Sequence, residues 1–170
     1  MQLNFAPAVA LLAAVSPALA SSPLVPQLQQ LTQGISNTRE IFNDLKIYTT
    51  PRQGPNGITT YKNEIIKAKE SYIENTPSMV EEADQASVCE NFVNFVTVSQ
   101  DLMNTLIEKH ALFGATTLSA PVSHLIRMDE YYTDTFVYNI EGLVPSCASQ
   151  IADSKKKLLE AYELATDAYM

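Results

Sequence analysis

The chain has 170 residues, of which 46% are hydrophobic and 18% charged. That suits one globular domain and is too apolar for a disordered chain. Nineteen acidic against eleven basic residues leave a net charge of −8, which argues against phosphate-backbone binding and against an anionic membrane surface. Five Gly and no Trp fit helices better than a turn-rich all-β fold.

In chain order, Met1 to Ala20 carries no charge, contains the apolar run Val9 to Val15 and ends in Ala18-Leu19-Ala20. This is the pattern of a secretory signal peptide, so the mature chain is expected to begin near Ser21 and to be soluble and extracellular, with residues 21–170 forming one domain. The apolar run is too short for a bilayer span, and the amphipathic C-terminus, with Glu163 and Asp167, does not read as a GPI signal.

Leu24, Leu28, Leu31, Ile35, Phe42 and Leu45 keep one helical face and define a first helix. Thr49 to Gly57, TTPRQGPNG, with two Pro and two Gly, reads as the clearest loop. Ile58, Tyr61, Ile65, Ala68 and Tyr72 give a second, shorter helix, broken at Asn75-Thr76-Pro77-Ser78, where Thr76 is expected to cap a new helix with Pro77 at its first position. The third helix is the longest. Cys89, Phe92, Val96, Ser99, Met103, Leu106, His110 and Phe113 alternate by three and four, and Phe95, Leu102 and Ile107 widen the stripe, so it should be central. Gly114 is a plausible C-cap. Ser119, as N-cap ahead of Pro121, opens a fourth helix along Val122, Leu125, Ile126, Tyr132, Phe136 and Ile140, closed by Gly142-Leu143-Val144-Pro145. Ser146 is expected to cap a fifth helix, with the stripe Ile151, Leu158, Tyr162, Ala165 and Tyr169. Short connections predict antiparallel sequential neighbours. The fold class is therefore all-α, a bundle of about five amphipathic helices.

Cys89 and Cys147 are an even pair in a chain that reads as secreted, the setting in which a disulfide forms. Two buried thiols or an intermolecular bridge are the alternatives. A bridge closing about 59 residues would stabilise the fold by roughly 4 kcal/mol. No Asn-x-Ser/Thr sequon occurs.

Catalytic patterns are missing: the chain has no GxSxG, HExxH or phosphate-cradling glycine loop. His110 and His124 fall on different helices, Asp129 stands five residues from His124, a spacing that faces poorly, and the two His and two Cys lack metal-ligand spacing. No enzyme activity, cofactor or metal is expected. Glu81-Glu82 with Asp84, and Lys155 to Lys157, read as solvated faces. The interior is more informative. Phe92, Phe95, Met103, Phe113, Tyr132 and Phe136 are large, and Ser99 and His110 share their stripe. Such a set is either plain core or an apolar ligand site with a few polar contacts.

The segment LIEKHALFG at Leu106 to Gly114, followed by Pro121-Val122 and by a turn at Val144-Pro145, resembles a fungal secreted family, that of hydrophobic surface-binding protein A and the cell-wall antigenic galactomannoproteins. The likeness follows the helix order over about residues 25–170 and is sharpest over 92–147. It departs in carrying Cys89 and Cys147, in lacking a Ser/Thr-rich stalk and a GPI tail, and in having more charge. The resemblance implies a secreted helical bundle, associated with the cell wall in some members, that either holds a fatty acid between its helices or adsorbs to hydrophobic surfaces and recruits a hydrolase. A structural cell-wall antigen is the third reading. On the lipid-binding reading, Phe92, Phe95, Met103, Leu125 and Phe136 line the site, and Ser99 or His124 meets the head group. No nucleic-acid partner and no membrane span are expected.

Overall fold

The computed structural model describes residues 22–74 and 80–170, with side chains at 22–70 and 80–170. The expected signal segment, Ser21 and the Thr76–Pro77 helix start lie outside the described residues. Five α-helices carry the described residues: α1 (Leu24–Asn43), α2 (Thr50–Glu74), α3 (Glu82–Gly114), α4 (Ser119–Leu143) and α5 (Ala148–Ala168), with one 3₁₀ turn at Pro145–Cys147 before α5. Among the described residues there is no strand. The all-α bundle read from the apolar spacing is the fold observed.

The helices close into a ring. α3 packs chiefly on α1 and α5, α5 on α4, α4 on α2, and α2 on α1, while α2 and α4 touch α3 only lightly. The short-loop argument therefore holds for α1/α2 and α4/α5 and fails for α2/α3 and α3/α4. The physical reason is the breadth of the α3 stripe. A 33-residue helix with Val88, Phe92, Phe95, Leu102, Met103, Leu106 and Phe113 buried needs more than one partner, and α1 and α5 together cover it.

Two polar links reinforce that choice. Arg39 on α1 pairs with Asp101 on α3 at 2.8 Å. Lys109 of α3 donates to the Asn43 and Leu45 carbonyls, at 2.6 and 3.3 Å, satisfying the C-terminal end of α1 where carbonyls lack partners. Cys89 and Cys147 form the disulfide, tying α3 to the turn before α5. Beside it, the Gln85 side chain donates to the Val80 carbonyl at 3.2 Å and accepts from the Ser146 amide at 3.0 Å.

The largest departure from expectation is the Thr49–Gly57 segment, which is not a loop. α2 starts at Thr50 and runs straight through it. Pro51 falls in the first turn, where no amide is needed. Pro55 lies inside the helix, and the residue before it is Gly54, whose missing Cβ removes part of the clash that disfavours a helical residue ahead of proline. Gly54 and Gly57 are also points of close approach. A Cβ at Gly54 would come 2.5 Å from Leu118 Cδ1, and one at Gly57 would come 2.8 Å from Phe42 Cε1. The Thr50 amide and hydroxyl both donate to the Lys46 carbonyl, at 2.9 and 2.8 Å, which starts the helix.

Smaller caps also differ from expectation. Gly114 is the last residue of α3, and Ala115 forms the C-cap with helical angles; no glycine among the described residues takes positive φ. Ser119 is the first residue of α4 rather than its cap, and the turn before it is held by the Leu118 amide donating to Thr116 Oγ1 at 3.2 Å. Ser146 sits in the 3₁₀ turn, so α5 begins after Cys147 instead of at a serine cap.

Candidate functional site

The interior is apolar, and its aromatic rings fall into two groups. Phe42, Tyr61, Phe113 and Tyr169 stack edge-on or tilted where α1, α2, α3 and α5 meet. Phe92, Phe95 and Phe136 form the other, with Phe95 6.0 Å from Phe136 across α3 and α4. Six of the seven residues expected to form a ligand site come together in this core: Phe92, Phe95, Ser99, Met103, Leu125 and Phe136 are all buried. His124 is exposed and lines a shallow surface groove with Ser123, Arg127 and Tyr169. Ser99 Oγ donates to the Phe95 carbonyl one turn back, at 2.9 Å, so its proton is already used within its own helix.

Most buried hydroxyls follow that pattern. Thr38, Thr50 and Thr105 each donate to a carbonyl four residues earlier. Asp129 differs. It is 7% exposed, the one charged side chain in the buried set among the described residues, and its partners come from other helices as well as its own. Tyr61 of α2 donates its phenol hydrogen to Asp129 Oδ2 at 2.7 Å. The hydroxyls of Tyr162 of α5 and Thr133 of α4 also act on the carboxyl, favouring its charged form, and Thr133 Oγ1 and the Tyr162 hydroxyl share a 3.3 Å bond.

Burial disfavours the ionised form, whereas these three hydroxyls favour it; burial wins, and the Asp129 carboxyl is pushed up to about 6. Burial first, and then the Asp129 charge, push the Tyr61 phenol well above its ordinary value. Each member is placed by helical register. Asp129 and Thr133 continue the stripe Val122, Leu125, Ile126 into Phe136 and Ile140, all buried on α4, while Tyr61 and Tyr162 occupy core positions of α2 and α5. His124 and Asp129 face apart, as their spacing of five implies, with Asp129 turned inward and His124 outward.

A cavity of about 20 Å³ adjoins this group, room for about one water-sized moiety. Its wall includes Leu31 and Ile35 of α1, Ile65 and Ala68 of α2 and Phe95 of α3. Elsewhere an open groove of about 730 Å³ runs between α4 and α5, bordered by Glu130, Glu141, Lys155, Lys156, Glu160 and Glu163. Lys155 is paired with Asp134 at 2.8 Å. Its rim carries mixed charge over a floor that includes Ala152 and Leu159, and it opens broadly to solvent. No group among the described residues has the make-up of a metal site, and no described helix is long and apolar enough to cross a membrane.

Asp129, Tyr61, Thr133 and Tyr162 were absent from the expected site. The available signal was an ionisable residue at a stripe position, three residues after Ile126 and four before Thr133. Such a residue has to be buried with partners.

No family model and no curated protein matches the chain. Solved structures do share its fold. One is AfMP4p in complex with palmitic acid, with a TM-score of 0.66 at 12% identity over 86% of this chain and 97% of that one. Another is ligand-binding domain 1 of the Penicillium marneffei MP1 protein complexed with arachidonic acids, with a TM-score of 0.62 at 14% identity over 86% and 99%. Both likenesses are of fold.

Proposed function

We propose that this chain is a secreted, non-enzymatic carrier that holds a long-chain fatty acid or similar single-chain lipid inside its helical ring. The observation that carries the reading is the shared bundle: two proteins of the same fold are complexed with palmitic and arachidonic acids. The interior of this chain suits such a guest in its chemistry, with Phe92, Phe95, Met103, Leu125 and Phe136 buried in it and a polar group at one place.

The ring is closed, and the space beside the polar group is about 20 Å³, so a lipid must part the helices. α2 is the element we assign to that movement. It borders the cavity through Tyr61, Ile65 and Ala68 and rests on α1 and α4 with little hold on α3. Each buried methylene contributes about 0.8 kcal/mol, so a long chain offsets the cost of opening, while a short one does not.

Thermal unfolding with a panel of C12 to C20 fatty acids tests the reading. At about 100 times the dissociation constant, a ligand should stabilise the fold by roughly 2.7 kcal/mol. No shift with any member, together with no lipid found by mass spectrometry of the natively secreted protein, would end it. A second reading, adsorption to hydrophobic surfaces, draws on the exposed Ile47, Tyr48, Tyr131 and Tyr138. It calls for strong retention on hydrophobic beads and no thermal shift with soluble fatty acid.

A further inference from the structure

We infer that Asp129, Tyr61, Thr133 and Tyr162 together form the polar anchor of the bound lipid, and that the head group they take is uncharged and carries an O–H donor. A hydroxyl has this chemistry, and so does a carboxylic acid that keeps its proton. The inference rests on the lipid-carrier reading and names which end of the lipid meets which residues.

The geometry excludes an anionic head. The groups facing Asp129 and its cavity are Leu31 and Ile35 from α1, Tyr61 and Glu64 from α2, Phe95 from α3, Thr133 from α4 itself and Tyr162 from α5. None of these is a cation. The nearby Lys67 is exposed and bonded to Glu64 Oε1 at 2.8 Å. A carboxylate entering here would face the Asp129 carboxyl with no positive charge to offset the pair, in a place shielded from water. Two acids so placed share a proton instead of both ionising. A hydroxyl head avoids the conflict altogether, because its O–H donates to the Asp129 carboxylate beside the Tyr61 hydroxyl, whose own hydrogen already goes to Asp129 Oδ2.

Proton bookkeeping gives the two donors different signatures. Asp129 is ionised above about pH 6. Above that value a fatty acid must bring one proton from solution into the complex, so its affinity falls about tenfold per pH unit. An alcohol brings none, and above about pH 6, where the Asp129 carboxylate is ready to accept its O–H, its affinity stays level.

The test is calorimetric titration of the full-length secreted protein at pH 5 to 8 with lauric acid, 1-dodecanol and methyl laurate, each below its aggregation threshold. Above pH 6 we expect lauric acid to weaken about tenfold per unit, dodecanol to hold constant, and the ester, which has no donor, to bind at least tenfold more weakly than the alcohol. Asp129→Asn should abolish the lauric acid slope, and Tyr61→Phe should weaken dodecanol several-fold. Glu64→Gln should leave the slope in place. A flat lauric acid profile in the wild-type protein, a slope that survives Asp129→Asn, or one that vanishes in Glu64→Gln would overturn the anchor and leave lipid carriage standing. Absence of binding by both lauric acid and dodecanol at every pH would instead remove the carrier reading itself.

Discussion

α2 and α3 are both long helices, and they are specified in opposite ways. α3 carries its own instructions: a three-four apolar repeat across 33 residues, two broad partners, a disulfide near its start and Lys109 reaching to α1 near its end. α2 begins in TPRQGPNG, a string that reads as a loop in isolation, and is helical because of what it packs against. Gly54 and Gly57 have no Cβ where Leu118 and Phe42 press in. The contrast teaches that glycine and proline in a packed helix look like punctuation when only local propensity is weighed, since tertiary contact overrides it. It also separates the rigid wall of the ring from the side that brings Tyr61 to Asp129.

The largest effect should come from the α3 side. Phe95 is 1% exposed and packs on Phe92 and Phe136. Phe95→Ala should cost about 3–5 kcal/mol by denaturant unfolding. Because Phe95 also walls the cavity beside Asp129, saturating lipid should recover part of that loss. A loss under about 1 kcal/mol would mean that α3 is not the packed wall described. Removing the tether is next. The double variant Cys89→Ala with Cys147→Ala opens a loop with a sequence separation of 58 and should cost roughly 2–5 kcal/mol. A thiol assay on the denatured, unreduced wild-type protein should detect no free sulfhydryl.

Legibility in the sequence followed the same divide. The stripes through Leu28 and Leu31, through Phe92 and Met103, and through Ile151, Leu158 and Tyr162 all lie buried as read, because their apolar side chains leave water whatever their neighbours are. The start of α2 was not legible, since its glycines report on Phe42 and Leu118, which are distant in sequence. The polar group was half legible. Tyr61 and Tyr162 were placed on the right faces, but a tyrosine at a core position does not announce its hydroxyl partner. Asp129 was weighed only beside His124 on the same helix, whereas its partner Tyr61 lies 68 residues away.

That group makes a prediction of intermediate size. The Asp129 carboxyl titrates at about 6 when folded, against an ordinary 3.8 when unfolded, so between those values the folded chain holds the proton that the unfolded chain has released. The stability this contributes is present in full below about pH 4 and is lost as pH rises through 6. Above that, the effect is level. At about 1.4 kcal/mol per unit, the loss reaches roughly 3 kcal/mol. Asp129→Asn lacks the titration. The stability of the wild-type chain relative to this variant should therefore fall between pH 4 and pH 7, measured without ligand. A difference that is constant with pH would place Asp129 in contact with solvent.

The smallest effects sharpen the contrast through glycine alone. Alanine is the better helix former by roughly 0.5–1 kcal/mol, so an unconstrained helical glycine should gain by the change. Gly114 ends α3 with nothing within 4 Å of an added Cβ and without positive φ, and Gly114→Ala should raise stability by about that amount. Gly57 has the same nominal gain but meets the ring of Phe42, which is fully buried and itself stacked edge-on against Tyr61 and Phe113. A ring so hemmed in cannot swing aside, and overpacking of this kind costs about 1–3 kcal/mol. Gly57→Ala should therefore lower stability on balance, and the displaced Phe42 should disturb Tyr61, the donor to Asp129. Opposite signs for the two substitutions, read in one denaturant series, are what a helix held by contact predicts against a helix held by its own repeat. If both were stabilising, the start of α2 would be no tighter than the free end of α3.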